Sequence, residues 1–332
     1  MTAQMYYDED ASLEPLAGKR IAVVGYGSQG RAHALNLKDS GLDLVVGLRE
    51  GSPTADVVRA DGLEAVPVAD ACSGAELVSF MLPDQDQMSV YQEVIRPVLD
   101  PAVCLLFAHG FNIHFRMIEP SETYDVVLVG PKAPGPMLRE VYVAGGGAPA
   151  VVAVAQDATG RARELALAYA KGLGCTRAGV FETTFAEETE TDLFGEQAIL
   201  AGGVGALIKT GFDVLVSAGY QPETAYFECL HEMKLVVELI QRFGISGMRA
   251  AVSDTAAYGS LTRGHRVIGP ESRRIMDQIL EDIRSGSFAE EWAAEARAGG
   301  PVLASERQRE VEHPIEEVGR RLRSSMVGSE EG

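Results

Sequence analysis

The 332-residue chain is poor in cations. Its 29 Lys and Arg stand against 48 Asp and Glu, for a net charge of −19. That balance argues against nucleic acid and against an anionic membrane surface as partners. Cysteine is scarce: Cys72, Cys104, Cys175 and Cys229 are scattered and form no CxxC. The pattern fits a reducing cytoplasm and neither a zinc site nor a disulfide framework. No apolar run reads as long enough to cross a membrane. The start, MTAQMYYDEDASLEP, is acidic and has no apolar core, so it does not read as a signal peptide. HExxH and GxSxG are both missing, which removes the obvious zinc protease and serine hydrolase readings. No internal repeat or low-complexity linker is evident.

What is present is a globular composition, 46% hydrophobic and 23% charged, with enough length for two domains. Residues 20–24 (RIAVV) read as a short buried strand. GYGSQG follows at once, then AHALNLKDSG with helical apolar spacing and a stop at Gly41. This is the strand, glycine turn and helix of a dinucleotide-binding unit. Gly25 would make the tight turn, Gly27 would admit pyrophosphate, and Gly30 would let helix pack on strand. A second strand, residues 42–46, runs into GLREGSPT. Arg49, with Ser52 and Thr54, reads as a site for a 2′-phosphate, although both hydroxyl residues also read as helix caps. Glu50 beside them could bond a 2′-hydroxyl instead.

Further strands are expected at 77–82, 103–107, 125–129 and 150–154, a helix at about 161–171, and a last short strand ending near Val180. In an open parallel sheet, ligands lie beyond the carboxyl ends of the strands, so Asp84, His109 and Lys132 fall at one rim. His33 reads as structural and His231 as packed or exposed. After Phe181 the pattern turns helical, at roughly 190–218, 222–242, 248–258 and 271–297. Gly202, Gly203 and Gly205 suggest close packing or a kink. The charged end, from Ser305, reads as a surface tail.

Two carboxylate pairs stand at helical spacing in this second half. Asp192 and Glu196 lie in ETETDLFGEQAILAGG, and Glu228 and Glu232 in YFECLHEMKLVVELIQ. Each pair shares one helix face. Such a pair on its own reads as a solvated acidic face. Here both segments are otherwise apolar and nearly without Lys or Arg, so buried carboxylates would need a cation among them. An all-oxygen set suits a hard divalent ion such as Mg²⁺, and four carboxylates suffice for two ions.

Together these segments resemble the ketol-acid reductoisomerase family, in its short bacterial class. The likeness runs from RIAVVGYGSQGRAHALNLKDSG through AHGFNIHF, ETETDLFGEQ, YFECLHEMK and SGMRAAVSDTAAYG to HPIEEVGRRLRS. The resemblance implies a Rossmann-type NADP-binding domain over 1–182, a helical domain over 183–328 that is knotted through two interlocking chains, and a tail at 329–332. It implies a cytoplasmic homodimer with composite sites, using NADPH and two Mg²⁺ in valine, leucine and isoleucine synthesis. The substrates would be 2-acetolactate and 2-aceto-2-hydroxybutyrate. By similarity Asp192, Glu196, Glu228 and Glu232 are the metal ligands, and Ser253 binds substrate. His109 is the active-site histidine and Lys132 lies near the metals. Tyr26, Gly27, Ser28, Gln29, Arg49, Ser52, Thr54, Asp84, Gln85, Asp86, Gln87 and Gly135, with Gly25 and Gly30, line the cofactor site. The chain departs from the family pattern at Arg31, within Gly130 to Pro136 and at Ser260 to Thr262, which leaves the preferred ketol acid open. Three other readings are a metal-free NADP-dependent β-hydroxyacid dehydrogenase, a relative acting on a different ketol acid in a secondary pathway, and an NADP-binding scaffold without catalysis.

Overall fold

A computed structural model describes residues 3–325, so the expected tail at 329–332 lies outside the described residues. The chain divides into two compact units, Met1–Thr191 and Asp192–Gly332. The first holds a nine-stranded sheet. In chain order the strands are β1 (Met5–Tyr6), β2 (Ile21–Val24), β3 (Leu44–Leu48), β4 (Ala65–Pro67), β5 (Leu77–Phe80), β6 (Cys104–Phe107), β7 (Asp125–Pro131), β8 (Ala150–Gln156) and β9 (Val180–Glu182). Their spatial order is β1-β9-β8-β7-β6-β5-β2-β3-β4. The run from β4 to β7 is parallel throughout, and β8 turns antiparallel to β7.

The apolar runs explain this burial on both faces. Successive side chains of a strand point to opposite sides, so a short unbroken apolar strand feeds two cores. Ile21 and Val23 enter one core with Leu106, Val127 and Val129, while Ala22 and Val24 enter the other with Val78, Phe80, Leu105 and Phe107. Phe80 and Phe107 are register partners whose rings stack 4.6 Å apart. Helices cover the sheet: α1 (Ser28–Asp39), α2 (Thr54–Ala60), α3 (Val68–Cys72), α4 (Asp84–Val90), α5 (Phe111–His114), α6 (Gly135–Val143) and α7 (Ala162–Gly172), followed by α8 (Phe185–Phe194).

β3 begins two residues later than the sequence indicates. Gly41 takes φ +81° after α1, and the Leu42 N–H donates to Leu37 O at 3.1 Å. Leu42 is thereby spent on closing the helix end. β1 and β4, of two and three residues, are too short to carry a periodic signal.

The second unit is helical: α9 (Gly202–Ser217), α10 (Pro222–Tyr226), α11 (Met233–Ala250), α12 (Asp254–Val267), α13 (Pro270–Arg284), α14 (Ser287–Arg297), α15 (Pro301–Glu312) and α16 (Pro314–Ser325). A single helix expected over 271–297 is two, broken where Gly286 takes φ +84°. The segment expected from Ser305 as a surface tail is helical as far as Ser325. Ile315, Val318 and Leu322 recur at helical spacing and pack on Phe212, Ala225 and Tyr226. Gly319 permits this, because a Cβ there would lie 2.7 Å from the Tyr226 ring. The charge of the segment concealed its apolar stripe.

Three π-helical turns interrupt the helices, at Tyr91–Ile95, Gly195–Leu200 and Phe227–His231. They account for two of the glycines. A Cβ on Gly202 or Gly203 would meet the Gln197 or Ala198 carbonyl oxygen at 2.1 Å. Contrary to the sequence reading, the helical run Phe185–Ser217 is long and apolar enough by length and composition to cross a membrane. Two charged residues within it, Lys209 and Asp213, pair with Glu310 and His313 of the second unit.

His33 is fully buried on α1, with Nδ1 3.1 Å from the Tyr169 hydroxyl. Burial pushes its pKa down to about 3. The folded protein therefore resists a proton that the unfolded chain accepts below a pH of about 6.5. Stability should fall as pH drops from about 6.5 toward 3, by up to about 1.4 kcal/mol per pH unit from this one group. Urea melts across that window should show a shallower slope for His33→Phe. An unchanged slope would remove His33 from the acid response.

Candidate functional site

The sheet order reverses between β2 and β5, whose connections leave in opposite directions, and a crevice of about 820 Å³ opens there. Gly25 ends β2 with φ +99°, and a Cβ on it would lie 2.7 Å from Met81 O. Only glycine fits that turn. Gly30 packs α1 on the same turn, since its Cβ would lie 2.4 Å from Gly25 O. Gly27 is the N-cap of the 12-residue α1, and no side chain caps the helix there. The space above Gly27 is open. These uncapped N–H groups and the glycine opening fit a pyrophosphate. Gly25, Tyr26, Gly27, Ser28, Gln29, Arg49, Ser52, Thr54, Asp84, Asp86, Gln87 and His109 all line the crevice.

Three expected cofactor residues, Gly30, Gln85 and Gly135, do not line it. Gly135 instead seats α6 against α1, where a Cβ would fall 2.1 Å from Ser28 O. Beside it the Gln29 amide donates to Ala133 O at 2.9 Å. At the β3 end Arg49 forms no ion pair with a described residue, and Ser52 Oγ accepts from Thr54 N at 3.3 Å. The N-cap of α2 is nevertheless Pro53, with no side-chain cap bond, so neither Ser52 nor Thr54 takes the cap position that the sequence allows. Glu50 faces a separate hollow with Asp56 and Arg59.

The rim beyond β6 and β7 carries a group the sequence did not single out. Glu188 on α8 is only 3% exposed. Its Oε2 accepts from the Gly110 N–H at 3.1 Å and lies 3.1 Å from His109 Nδ1, and its Oε1 accepts from Lys132 Nζ at 3.1 Å. Burial alone would raise this carboxyl. The hydrogen bond and charge of His109, the charge of Lys132 and the Gly110 N–H outweigh it and hold the group below the usual carboxylate range. A Cβ on Gly110 would meet Thr189 Oγ1 at 2.3 Å, so glycine is what lets the His109 loop reach α8. The signal for Glu188 was present, since it precedes Asp192 by one turn in the same acidic run.

The expected metal ligands behave differently. Each pair borders a π-helical turn, a feature that often marks functional sites: Glu196 lies in Gly195–Leu200 with Asp192 in α8 before it, and Glu228 lies in Phe227–His231 with Glu232 directly after it. Asp192 is half-buried, but Glu196, Glu228 and Glu232 are exposed. The premise of buried carboxylates in an apolar setting therefore fails within one chain, because the apolar neighbours Leu200 and Leu235 are exposed as well. Among the described residues, the second unit by itself gathers no cluster of three or more metal-type ligands. Ser253 is exposed and caps α12, with Oγ accepting from Ala256 N at 3.2 Å. His231 is exposed, edge-on to the Phe227 ring.

A mostly parallel sheet with a glycine turn at its switch point is the dinucleotide-binding architecture of the Rossmann class. Solved structures under 20% identical share the fold. A semialdehyde dehydrogenase NAD-binding protein from Cupriavidus necator has 19% identity over 80% of this chain and 99% of its own, with a TM-score of 0.63. A putative oxidoreductase from Jannaschia sp. CCS1 has 16% identity over 80% and 97%, with a TM-score of 0.61. The family models are more specific. Residues 15–179 match the acetohydroxy acid isomeroreductase NADPH-binding domain, and residues 185–327 match the ketol-acid reductoisomerase C-terminal domain. An NADH-preferring ketol-acid reductoisomerase from an uncultured archaeon is 44% identical over 98% of this chain and all of its own, with a TM-score of 0.95. The chain belongs to the ketol-acid reductoisomerase family, and it is an oxidoreductase and isomerase of that kind.

Removing the Glu188 charge leaves His109 and Lys132 facing a neutral amide. Glu188→Gln should destabilise the fold by about 3 kcal/mol at neutral pH, as expected for breaking a buried ion pair. Because the folded-state pKa is lowered, this stabilisation is present above a pH of about 4.3 and is lost as pH falls through the folded value. Denaturant melts of the two proteins should draw together only as pH falls below the ordinary carboxylate range and through the lowered folded-state value. A gap that persists there would assign the loss to packing.

Proposed function

We propose that this enzyme converts 2-acetolactate and 2-aceto-2-hydroxybutyrate to 2,3-dihydroxy-3-methyl acids with NADPH and Mg²⁺, in branched-chain amino acid synthesis. The observation that carries the reading is the Glu188–His109–Lys132 group beside the dinucleotide crevice. In the first half-reaction an alkyl group moves with its electron pair from the carbinol carbon to the neighbouring ketone carbon. The proton of the old hydroxyl ends on the new one. In the second half-reaction the new ketone takes up a hydride and one proton. Both halves need a connected donor and acceptor set, and His109 and Lys132 bridged by one buried carboxylate form such a set. Glu188 stays ionised and keeps both partners oriented. Divalent ions held by Asp192, Glu196, Glu228 and Glu232 would supply the positive charge that an alkoxide and a polarised ketone require. The donor chemistry fits, being oxygen throughout. Measuring acetolactate-dependent NADPH oxidation with and without EDTA tests the whole reading. A metal-free dehydrogenase would keep its activity in the chelator.

NADPH is favoured by Arg49, which lines the crevice with Ser52 and Thr54 while Glu50 does not. A second reading, NADH preference, is supported by the 44% identical archaeal relative. A charge-assisted contact to phosphate contributes about 1.5–3 kcal/mol, so Arg49→Ala should lower NADPH selectivity about tenfold or more. Comparing kcat/KM for both cofactors decides between them, and a wild type that prefers NADH turns attention to Glu50.

The reading also needs a second copy of the chain. Support comes from large apolar side chains left in solvent on the second unit, among them Leu200, Leu235, Phe243, Tyr258 and Ile268, each 55% exposed or more. In a two-fold dimer, Asp192 and Glu196 of one chain would be completed by the pair at 228 and 232 and by the serine at 253 of the other. Asp192→Asn and Glu228→Gln should each be inactive. Random co-refolding should restore roughly a quarter of the sites, because one site of each mixed dimer carries neither lesion. Verified mixed dimers as inactive as their parents would show that each chain builds its own site.

A further inference from the structure

We propose that Asn112 is a positioning residue that ties the dinucleotide-binding loop to the His109 loop, so that nucleotide binding sets both at once. Asn112 is 2% exposed on α5, three residues past His109. Its amide nitrogen uses both hydrogens. One goes to Asp84 O at 3.0 Å and the other to Gln87 Oε1 at 3.1 Å. Gln87 is 4% exposed, and its own amide donates to Leu82 O at 2.9 Å and to Asp84 Oδ1 at 3.2 Å. Two buried amides therefore hold the turn entering α4 at three points. Asp84, Gln87 and His109 line the same crevice, and the Gly110 N–H next to His109 is bound by Glu188.

A side chain that only filled space here would need no donors. This one supplies two, each to a group of the opposite rim. Replacing it by an apolar residue takes a donor from the buried Gln87 Oε1 and another from the part-buried Asp84 O. The inference deepens the proposed nucleotide site and rests on nucleotide binding there.

The test is hydrogen exchange of the full-length protein with and without NADPH, comparing residues 82–90 with residues 108–115. In the wild type, saturating NADPH should slow exchange in both segments by about tenfold or more. In Asn112→Leu the effect should persist at 82–90 and shrink to less than about twofold at 108–115. Turnover of acetolactate at saturating NADPH should fall about tenfold with it, as for a lost positioning contact. Equal slowing at 108–115 in both proteins overturns the proposal, as does a wild type in which NADPH leaves 108–115 unchanged. So does a variant whose only change is a lower melting temperature. If Asn112→Leu does not fold, Asn112→Asp keeps the shape, removes both donors at neutral pH and is read in the same way. A wild type that binds NADPH but ignores acetolactate would refute the proposed substrate and leave the exchange result standing.

Discussion

The buried carboxylate of Glu188 is the constraint on which the site depends. A carboxylate at 3% exposure is unfavourable unless its charge is matched. Three donors from two loops match it: His109 and the Gly110 N–H beyond β6, and Lys132 beyond β7. Neither loop could hold its position by local structure alone. Gly110 must lack a Cβ for its loop to reach α8, and the Lys132 loop is braced from behind by Gln29 on Ala133 O. The parallel strands deliver both loops to one rim, and a single charge then fixes them there.

The same economy is visible on the nucleotide side. The walls of the crevice come from the ends of β2, β3, β5 and β6, and backbone bonds join them. Gly25 N donates to Gly47 O, Met81 N to Val24 O, and Asn112 reaches Asp84 O. Backbone acceptors and neutral amides set the shape. Arg49 lines the same crevice and forms no ion pair with a described residue.

Much of the first unit was legible in the sequence because its signals are local. A short apolar strand, a glycine turn and an amphipathic helix each declare themselves within a dozen residues, and the alternating burial of Ile21 to Val24 follows from strand geometry. Glu188 was legible only as one more carboxylate a turn ahead of Asp192, because its partners lie in two loops 56 and 79 residues away. The π-helical turns were not legible, although Gly202 and Gly203 were their trace: two small residues placed where the wider turn brings carbonyls within 2.1 Å of a Cβ. The end of the chain was misread for the opposite reason. Its charge density hid the Ile315, Val318 and Leu322 stripe, which composition cannot reveal and helical spacing can.

The second unit shows where single-chain reasoning stops. The carboxylate pairs were read as buried because their neighbours are apolar, yet Glu196, Glu228 and Glu232 are exposed, and so are Leu200 and Leu235 beside them. Apolar residues in a segment imply burial only if something within reach can cover them. The core of this unit gathers around Phe212, Ala225, Tyr226, Ile315 and Val318 and leaves the faces of α11 and α12 uncovered. An exposed carboxylate surrounded by exposed apolar side chains is consistent with two physical situations: a solvated helix that tolerates the apolar surface, or a half-site whose other half arrives with the covering surface. The two differ in what covering would cost. A lone carboxylate would resist it, because desolvation would exceed any apolar gain, whereas paired carboxylates bound to a divalent ion would not. Association of the apolar faces and cation binding by the acidic pairs would then be thermodynamically linked, each strengthening the other.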